Sequence, residues 1–203
     1  MSKIETVEQL RQVYKPALGR SVEKELDYLD PHCKKFITLA PFVAVATQGV
    51  DGLGDVAPRG EYPAVAKALD DHTVLIPDRP GNNRLDNYTN LLENPKVSLL
   101  FLIPGVNETL RINGVGEIRT DAELLELFPV AGKLPITVLH VTVHEAYLHC
   151  AKALMRSKLW SPDAILDRSV LPSMGQMIKD QTKSKDPVES QEAMEARYEK
   201  VLY

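Results

Sequence analysis

Seven residues gather most of the chain's candidate binding chemistry. Asp78, Arg79, Asn82, Asn83 and Arg84 surround Pro80-Gly81, between an apolar run, Thr73-Val-Leu-Ile-Pro77, and a segment in which Leu85, Tyr88, Leu91 and Leu92 recur at helical spacing. A loop between a strand and the start of a helix offers free backbone N–H groups at the positive end of the helix dipole, and both favour an anion. A phosphate suits such a loop. The same Pro-Gly-Asn-Asn is also ordinary turn chemistry, since Pro presets φ and Gly and Asn tolerate positive φ. Local sequence supports both readings. A second group lies further on: Lys152, Arg156 and Ser157 place two cations and a hydroxyl within a short reach, three residues before the only tryptophan, Trp160. Either Leu154, Leu159 and Trp160 pack while the cations face water, or the segment reaches a phosphate or an aromatic ring system.

Several familiar sites are missing. Asp51-Gly-Leu-Gly54 and Asn113-Gly-Val-Gly116 lack the G-x-G-x-x-G pattern of a dinucleotide fold, and neither a Walker motif nor a G-x-S-x-G elbow is present. His140, His144 and His149 suggest a metal site, but on a strand His140 and His144 stand about 13 Å apart at ~3.3 Å per residue, so no metal is expected. Cys33 and Cys150 form no Cys-x-x-Cys motif and are expected to be free thiols.

The elements that position these groups are mostly strands. Phe42–Gln48 alternates and turns through Val50-Asp-Gly-Leu-Gly54 into a second strand that delivers Arg59. Thr73–Pro77 is a third. Val97–Ile103, bounded by Asn94-Pro95 and Pro104-Gly105, is a fourth, Thr109–Ile118 a fifth, and the β-branched Ile136–His144 a closing strand. Helices are expected from a Thr6–Gln9 capping box, over Val22–Leu29, from Asp30-Pro31 to Leu39, and after a capping box at Thr120–Glu123. From Ser161 the chain loosens, with Lys179–Lys185 reading as a linker. Asp186-Pro-Val-Glu189 then caps a final helix bearing Val188, Met194, Tyr198, Val201 and Leu202.

The order from Phe42 to Glu117, with a weaker echo from Tyr147 to Trp160, resembles the pyridoxamine 5′-phosphate oxidase-like, FMN-binding split-barrel family. The resemblance rests on Val56-Ala-Pro-Arg59, the Thr73–Pro77 strand with its Arg/Asn loop, Leu91-Leu-Glu-Asn-Pro95, and the two following strands. It implies a mainly β, α+β fold, a six-stranded antiparallel split β-barrel with flanking helices. FMN would be the cofactor and a homodimer the assembly, with the flavin at or near the interface. On the family pattern Arg59, Asn82, Asn83 and Arg84, with Asp78 and Arg79 beside them, bind the cofactor. Lys152, Arg156, Ser157 and Trp160 complete the site from the same or the other subunit. The run Asp78–Arg84 and the phrase Leu102-Ile-Pro-Gly-Val106 resemble an uncharacterised flavin-binding branch. Where pyridoxamine phosphate oxidases carry Arg-Lys in the phosphate loop, this chain has Asn83-Arg84, and the Tyr, Arg and Ser pattern that binds pyridoxal phosphate has no clear counterpart.

With no protein nucleophile in view, redox chemistry would belong to the flavin, acting on a small organic molecule. Two alternatives stay open: a flavin-binding carrier or sensor without turnover, and the same fold holding F420 or haem. At 203 residues and 44% hydrophobic, the chain suits a single domain, with a helical prefix over about 1–40 and a helical extension over about 161–203. The balance of 24 basic against 28 acidic residues, net −4, offers no field for nucleic acid or an anionic membrane. No run reaches the ~20 apolar residues of a membrane span, and Met1–Thr6 lacks the apolar core of a signal peptide, so a cytoplasmic location is expected.

Overall fold

Alternating side chains build the barrel wall. A computed structural model describes residues 3–203 of the chain. Strand β1, Phe42–Gln48, turns Val43, Val45 and Thr47 inward, and β5, Lys96–Leu102, does the same with Val97, Leu99 and Phe101. The other strands are β2 (Gly54–Gly60), the two-residue β3 (Lys67–Ala68), β4 (Thr73–Asp78), β6 (Thr109–Arg119) and β7 (Thr137–His149). All pair antiparallel in one sheet of order β2-β1-β5-β6-β7-β4-β3. This is the split-barrel fold, six longer strands with β3 added at one edge. Its core joins Val43, Val45, Leu99, Phe101, Leu110 and Ile112 to Val74, Ile76, Leu139 and Val141.

Strand β4 is buried along most of its length because both faces are covered. Val74 and Ile76 enter the main core, while Leu75 packs outward with Val138 and Phe128. Burial on both faces explains its unbroken apolar run. In β7 the pairing of Asn113 with Glu145 and of Gly114 with Val143 leaves His144 as an extra residue, so the inward set shifts from Val141 and Val143 to Ala146.

Helix α4, Asp86–Glu93, lies against β1, β2 and β6 with Tyr88 and Leu91 buried. A Cβ at Gly116 would meet Leu91 Cδ2 at 3.2 Å and Leu139 Cδ1 at 3.1 Å, so this glycine lets α4 sit close. Beneath the helix, Asn87 Nδ2 donates to Thr47 Oγ1 (2.9 Å), and Asn90 Nδ2 donates to Thr47 Oγ1 (3.1 Å) and Asp55 Oδ2 (2.7 Å). Such buried bonds fix the helix, and with it the loop that enters it.

The flanking helices depart from expectation in several places. Helix α1, Val7–Val13, begins at Thr6, whose hydroxyl accepts from Gln9 N, as the sequence indicates. In place of a helix over Val22–Leu29 there is a four-residue α2, Arg20–Glu23. Beyond it Leu26 bridges to Ala146 and Leu29 is buried, so the helical spacing of these apolar residues reflects two separate anchors. Helix α3, Pro31–Ile37, follows its Asp30 cap. Asp121, rather than Thr120, precedes α5 (Ala122–Leu125), its carboxylate held by Arg119. The closing strand runs on to His149 and is followed by α6, Lys152–Ser157. Lys179–Thr182 belongs to α7, Met174–Thr182, rather than to a linker. The final helix, α8 (Gln191–Glu199), is capped by Ser190, because Asp186 is taken up by Ser184. Among the described residues no helix is long and apolar enough to cross a membrane.

Candidate functional site

The two outer strands on either side of the curled sheet, β2 at one edge and β4 beside the other, come together without a hydrogen-bonded ladder between them. Across this seam Arg59 Nε, from β2, stands 3.5 Å from Asp78 Oδ1, from β4, with side chains 25% and 15% exposed. Just beyond the ends of the two strands, Arg79 grips Glu61 through Nε to Oε2 (2.8 Å) and Nη2 to Oε1 (2.9 Å), and Nη2 also donates to Phe128 O (2.9 Å). The seam opens into two adjoining clefts of about 220 and 210 Å3 that share Asp78, Arg79 and Gly81. Arg59, Gly60 and Glu61 line the first, and Asn82, Asn83, Leu85, Tyr88 and Thr137 the second. Larger hollows lie over β1, β5 and β6 (about 550 Å3) and beside α3 and β3 (about 670 Å3), but neither is lined by an arginine.

The loop between β4 and α4 takes an uncommon shape. Asn83 and Leu85 both adopt left-handed backbone, at φ 58° and 59°. Asn tolerates this conformation, but for a residue such as Leu85 it costs on the order of 1–3 kcal/mol and persists only where the surroundings hold it. Asn82 Oδ1 accepts from Arg84 N at 3.1 Å, which is local turn chemistry. Leu85 precedes α4 and supplies no side-chain cap, so the first N–H groups of the helix face the loop uncapped by Leu85. The carboxylate of Asp86 stands at this end and pairs with the largely exposed Arg84 (2.9 Å).

Burial dominates the electrostatics. It pushes the Asp78 carboxyl above its ordinary range, with the Arg59 guanidinium and a bond to Tyr88 opposing it less strongly. Burial, then the nearby Asp78 charge, pushes the Tyr88 phenol up to about 12, so Tyr88 stays a hydroxyl donor. A carboxyl with a raised folded pKa binds its proton more tightly in the folded than in the unfolded chain. Stability therefore falls as pH rises from the ordinary carboxyl range through the raised value. Asp78→Asn is accordingly expected to melt a few degrees above wild type near neutral pH, with the advantage lost in acid below the carboxyl range. Thermal melts across that range check this, and a variant less stable than wild type at neutral pH would show that the Arg59 pair outweighs burial.

The second group of predicted site residues lies elsewhere in the same chain. Asp78 pairs with Thr137 at the start of β7, whereas α6 follows His149 at its end. Twelve residue steps separate the two, roughly 40 Å along the strand at ~3.3 Å each. Lys152 and Arg156 are exposed on α6, Ser157 Oγ donates to Leu154 O (3.1 Å), and Trp160 Nε1 donates to Val106 O (2.8 Å). The structure thus brings Arg59, Asp78, Arg79, Asn82 and Asn83 together at the clefts, leaves Arg84 largely exposed beside Asp86, and sets Lys152, Arg156, Ser157 and Trp160 apart from them. Three further residues join the first group. Glu61 lies two residues after Arg59 in sequence but its partnership with Arg79 needs the closed seam. Tyr88 reads in sequence as an apolar helix position. The Tyr203 ring lies 5.6 Å from the Arg79 guanidinium, with Lys133 Nζ donating to Tyr203 O (2.6 Å), a contact with no local sequence signal. Among the described residues no group of three His, Cys, Asp or Glu stands close enough to hold a metal ion.

A curled antiparallel sheet with an arginine- and asparagine-lined seam defines a split barrel. The family model described as pyridoxamine 5′-phosphate oxidase matches residues 29–150, more than half of the chain, and the chain belongs to that family. The match spans every strand and stops before α6. Among solved structures the chain is similar to HupZ of Group A Streptococcus (18% identity, 59% of this chain and 92% of that one, TM-score 0.48). It is also similar to General Stress Protein 26 of Bacillus anthracis (16%, 58% and 93%, 0.44) and to an FMN-binding protein of Syntrophomonas wolfei (14%, 58% and 83%, 0.45). Likenesses this distant say nothing of ligand or activity. No curated protein matches the chain.

Proposed function

We propose that the chain is an FMN-binding oxidoreductase that acts on a small organic molecule and works as a homodimer. The observation that carries this reading is family membership together with the placement of Arg59, Asn82 and Asn83 around the seam of the matched region, with Arg84 exposed on the same loop. The residues fit a phosphate monoester. The start of α4 offers backbone N–H groups, the two asparagines add short polar side chains, and Arg59 and Arg84 each hold a carboxylate that a phosphate can displace. Arg59 is the better placed, since it lines the cleft and its contact with Asp78 is long. Tyr88 can donate its hydroxyl from the cleft wall at any working pH.

Bound there, a flavin supplies hydride or single-electron transfer, while the chain's residues hold and orient it and shield one face from water. Lys152, Arg156, Ser157 and Trp160 complete the site from the second copy in this reading, because their own copy places them at the far end of β7. The chain then acts as a single domain, with the prefix, about 1–40, and the extension, about 161–203, appended to the barrel.

The test is a comparison of FMN with riboflavin, which lacks the phosphate. Charge-assisted bonds to phosphate contribute ~1.5–3 kcal/mol each, so FMN should bind about ten- to a hundredfold more tightly for each such bond. Arg59→Ala should remove much of that advantage and leave riboflavin nearly unaffected in calorimetric titration. Equal affinities for the two ligands in wild type would sink the phosphate assignment. The absorbance spectrum of the purified protein separates flavin from haem directly, and reduction by NADH or NADPH separates enzyme from carrier.

A further inference from the structure

We infer that Arg79 and Glu61 are positioning residues: as a clamp across the barrel seam they set the shape of the 79–85 loop, and they do not themselves bind the anion. The inference rests on the proposed phosphate site and assigns roles within it. Arg79 lies at the head of the loop and lines both clefts, so its residue type alone suggests a phosphate ligand. Its partners say otherwise. Nε and Nη2 make a bidentate pair with Glu61, Nη2 also donates to the carbonyl of Phe128, and the Tyr203 ring lies 5.6 Å from the guanidinium. The two side chains are 13% and 10% exposed, against 74% for Arg84. A paired Arg and Glu present no net charge to an incoming anion, and withdrawing Arg79 would leave Glu61 buried without its cation.

What the pair does instead follows from topology. Strands β2 and β4 are not hydrogen-bonded neighbours, so no ladder fixes the loop relative to the β2 edge. Glu61 N donates to Pro41 O at 3.0 Å, which ties this carboxylate's own backbone to the entry of β1. Arg79 therefore fastens the first residue of the loop to the opposite edge of the sheet, and through Phe128 to the segment after α5. At the loop's start Ile136 N donates to Asp78 O, and within it Arg84 N donates to Asn82 Oδ1. The left-handed Asn83 and Leu85, which turn the chain so that the start of α4 opens on the cleft, depend on where that first residue is held.

The sign of one substitution separates the roles. Glu61→Gln removes a negative charge beside the proposed phosphate and frees the Arg79 donors. If Arg79 is an anion ligand, FMN should bind equally well or better. If the pair positions the loop, FMN should bind at least about tenfold more weakly. Arg79→Lys, which keeps the charge and loses the fork, should match it, and the double variant should be no worse than the weaker single one. Hydrogen exchange without any ligand gives the independent readout: amides of residues 82–85 should exchange at least about tenfold faster in both single variants, while those of β5 and β6 keep their wild-type rates. FMN affinity maintained or raised in Glu61→Gln overturns the inference. Should wild type bind neither FMN nor riboflavin, the flavin reading fails and loop exchange alone decides, unchanged rates overturning the clamp. If Glu61→Gln does not fold, Glu61→Asp, too short for both bonds, replaces it with the same two outcomes.

Discussion

Gly114→Ala should lose at least about 3 kcal/mol of stability, because the added methyl has nowhere to go. A Cβ built on Gly114 would stand 2.0 Å from Thr142 O and 3.0 Å from Thr142 C, both backbone atoms of the neighbouring strand. No rotamer change relieves such an overlap. Either β6 and β7 separate where His144 is inserted, or the ladder on one side of the bulge is lost, and this is the most extensive strand pair in the sheet. Gly54→Ala is the matched control: it too is a strand glycine, at the start of β2, and its nearest neighbour would be Thr47 O at 4.0 Å. That change should stay within ~0.5 kcal/mol of wild type. Urea unfolding of the three proteins checks the difference, and a Gly114→Ala midpoint equal to that of Gly54→Ala would show that the two strands can part there without cost.

The same contact marks a limit on what the sequence discloses. Alternation made the long strands legible: Phe42–Gln48 matches β1 residue for residue, because Val43, Val45 and Thr47 recur at the period a strand buries. Gly114 gave no such signal. Its need for a bare backbone arises from a bulge that exists only once β6 and β7 are paired. Lys67–Ala68 is too short for any periodicity to register. Val22, Leu26 and Leu29 show helical spacing for an unrelated reason, since Leu26 is fixed by a bridge to Ala146 and Leu29 enters the core. In the C-terminal region polar composition masked α7, where Met174, Met177 and Ile178 recur at helical spacing behind the Ser173 cap.

The candidate site divides along the same line. The cluster from Asp78 to Arg84 was legible because its residues are contiguous and their types alone favour an anion. Glu61, eighteen positions before Arg79, was not, since the partnership requires the two edges of the sheet to meet. The pattern of ionisable types near the loop also conceals which arginines are free. Arg79 looks equivalent to Arg59 and Arg84 in sequence, yet its donors are committed to Glu61 and to Phe128 O, while Arg59 stands 3.5 Å from Asp78 with Nη1 donating to Pro58 O, and Arg84 holds Asp86 at the surface.

Arg59→Ala and Lys152→Ala should each bind FMN at least about tenfold more weakly than wild type when studied alone, and heterodimers of the two should regain one tight site in two. Arg59 faces Asp78 at the seam, whose strand pairs with the start of β7, whereas Lys152 opens the helix that follows the end of β7. Within one copy the thirteen residues of β7 lie between the strand end that meets Asp78 and the helix that carries Lys152. In the proposed reading Lys152 therefore reaches the cofactor from the second chain. In a heterodimer one interface then carries both wild-type halves and the other carries both lesions, whereas two sites each built from one chain would both be damaged and show no recovery. Heterodimers isolated through two different affinity tags and titrated with FMN, beside each homodimer, give the count of tight sites directly. Wild-type affinity in Lys152→Ala would instead assign α6 to packing, through the buried Leu154 and the bond from Trp160 to Val106 O. A flavin-loaded monomer at micromolar concentration would remove the second copy from the site altogether, since occupancy and assembly must rise together if the ligand bridges both chains.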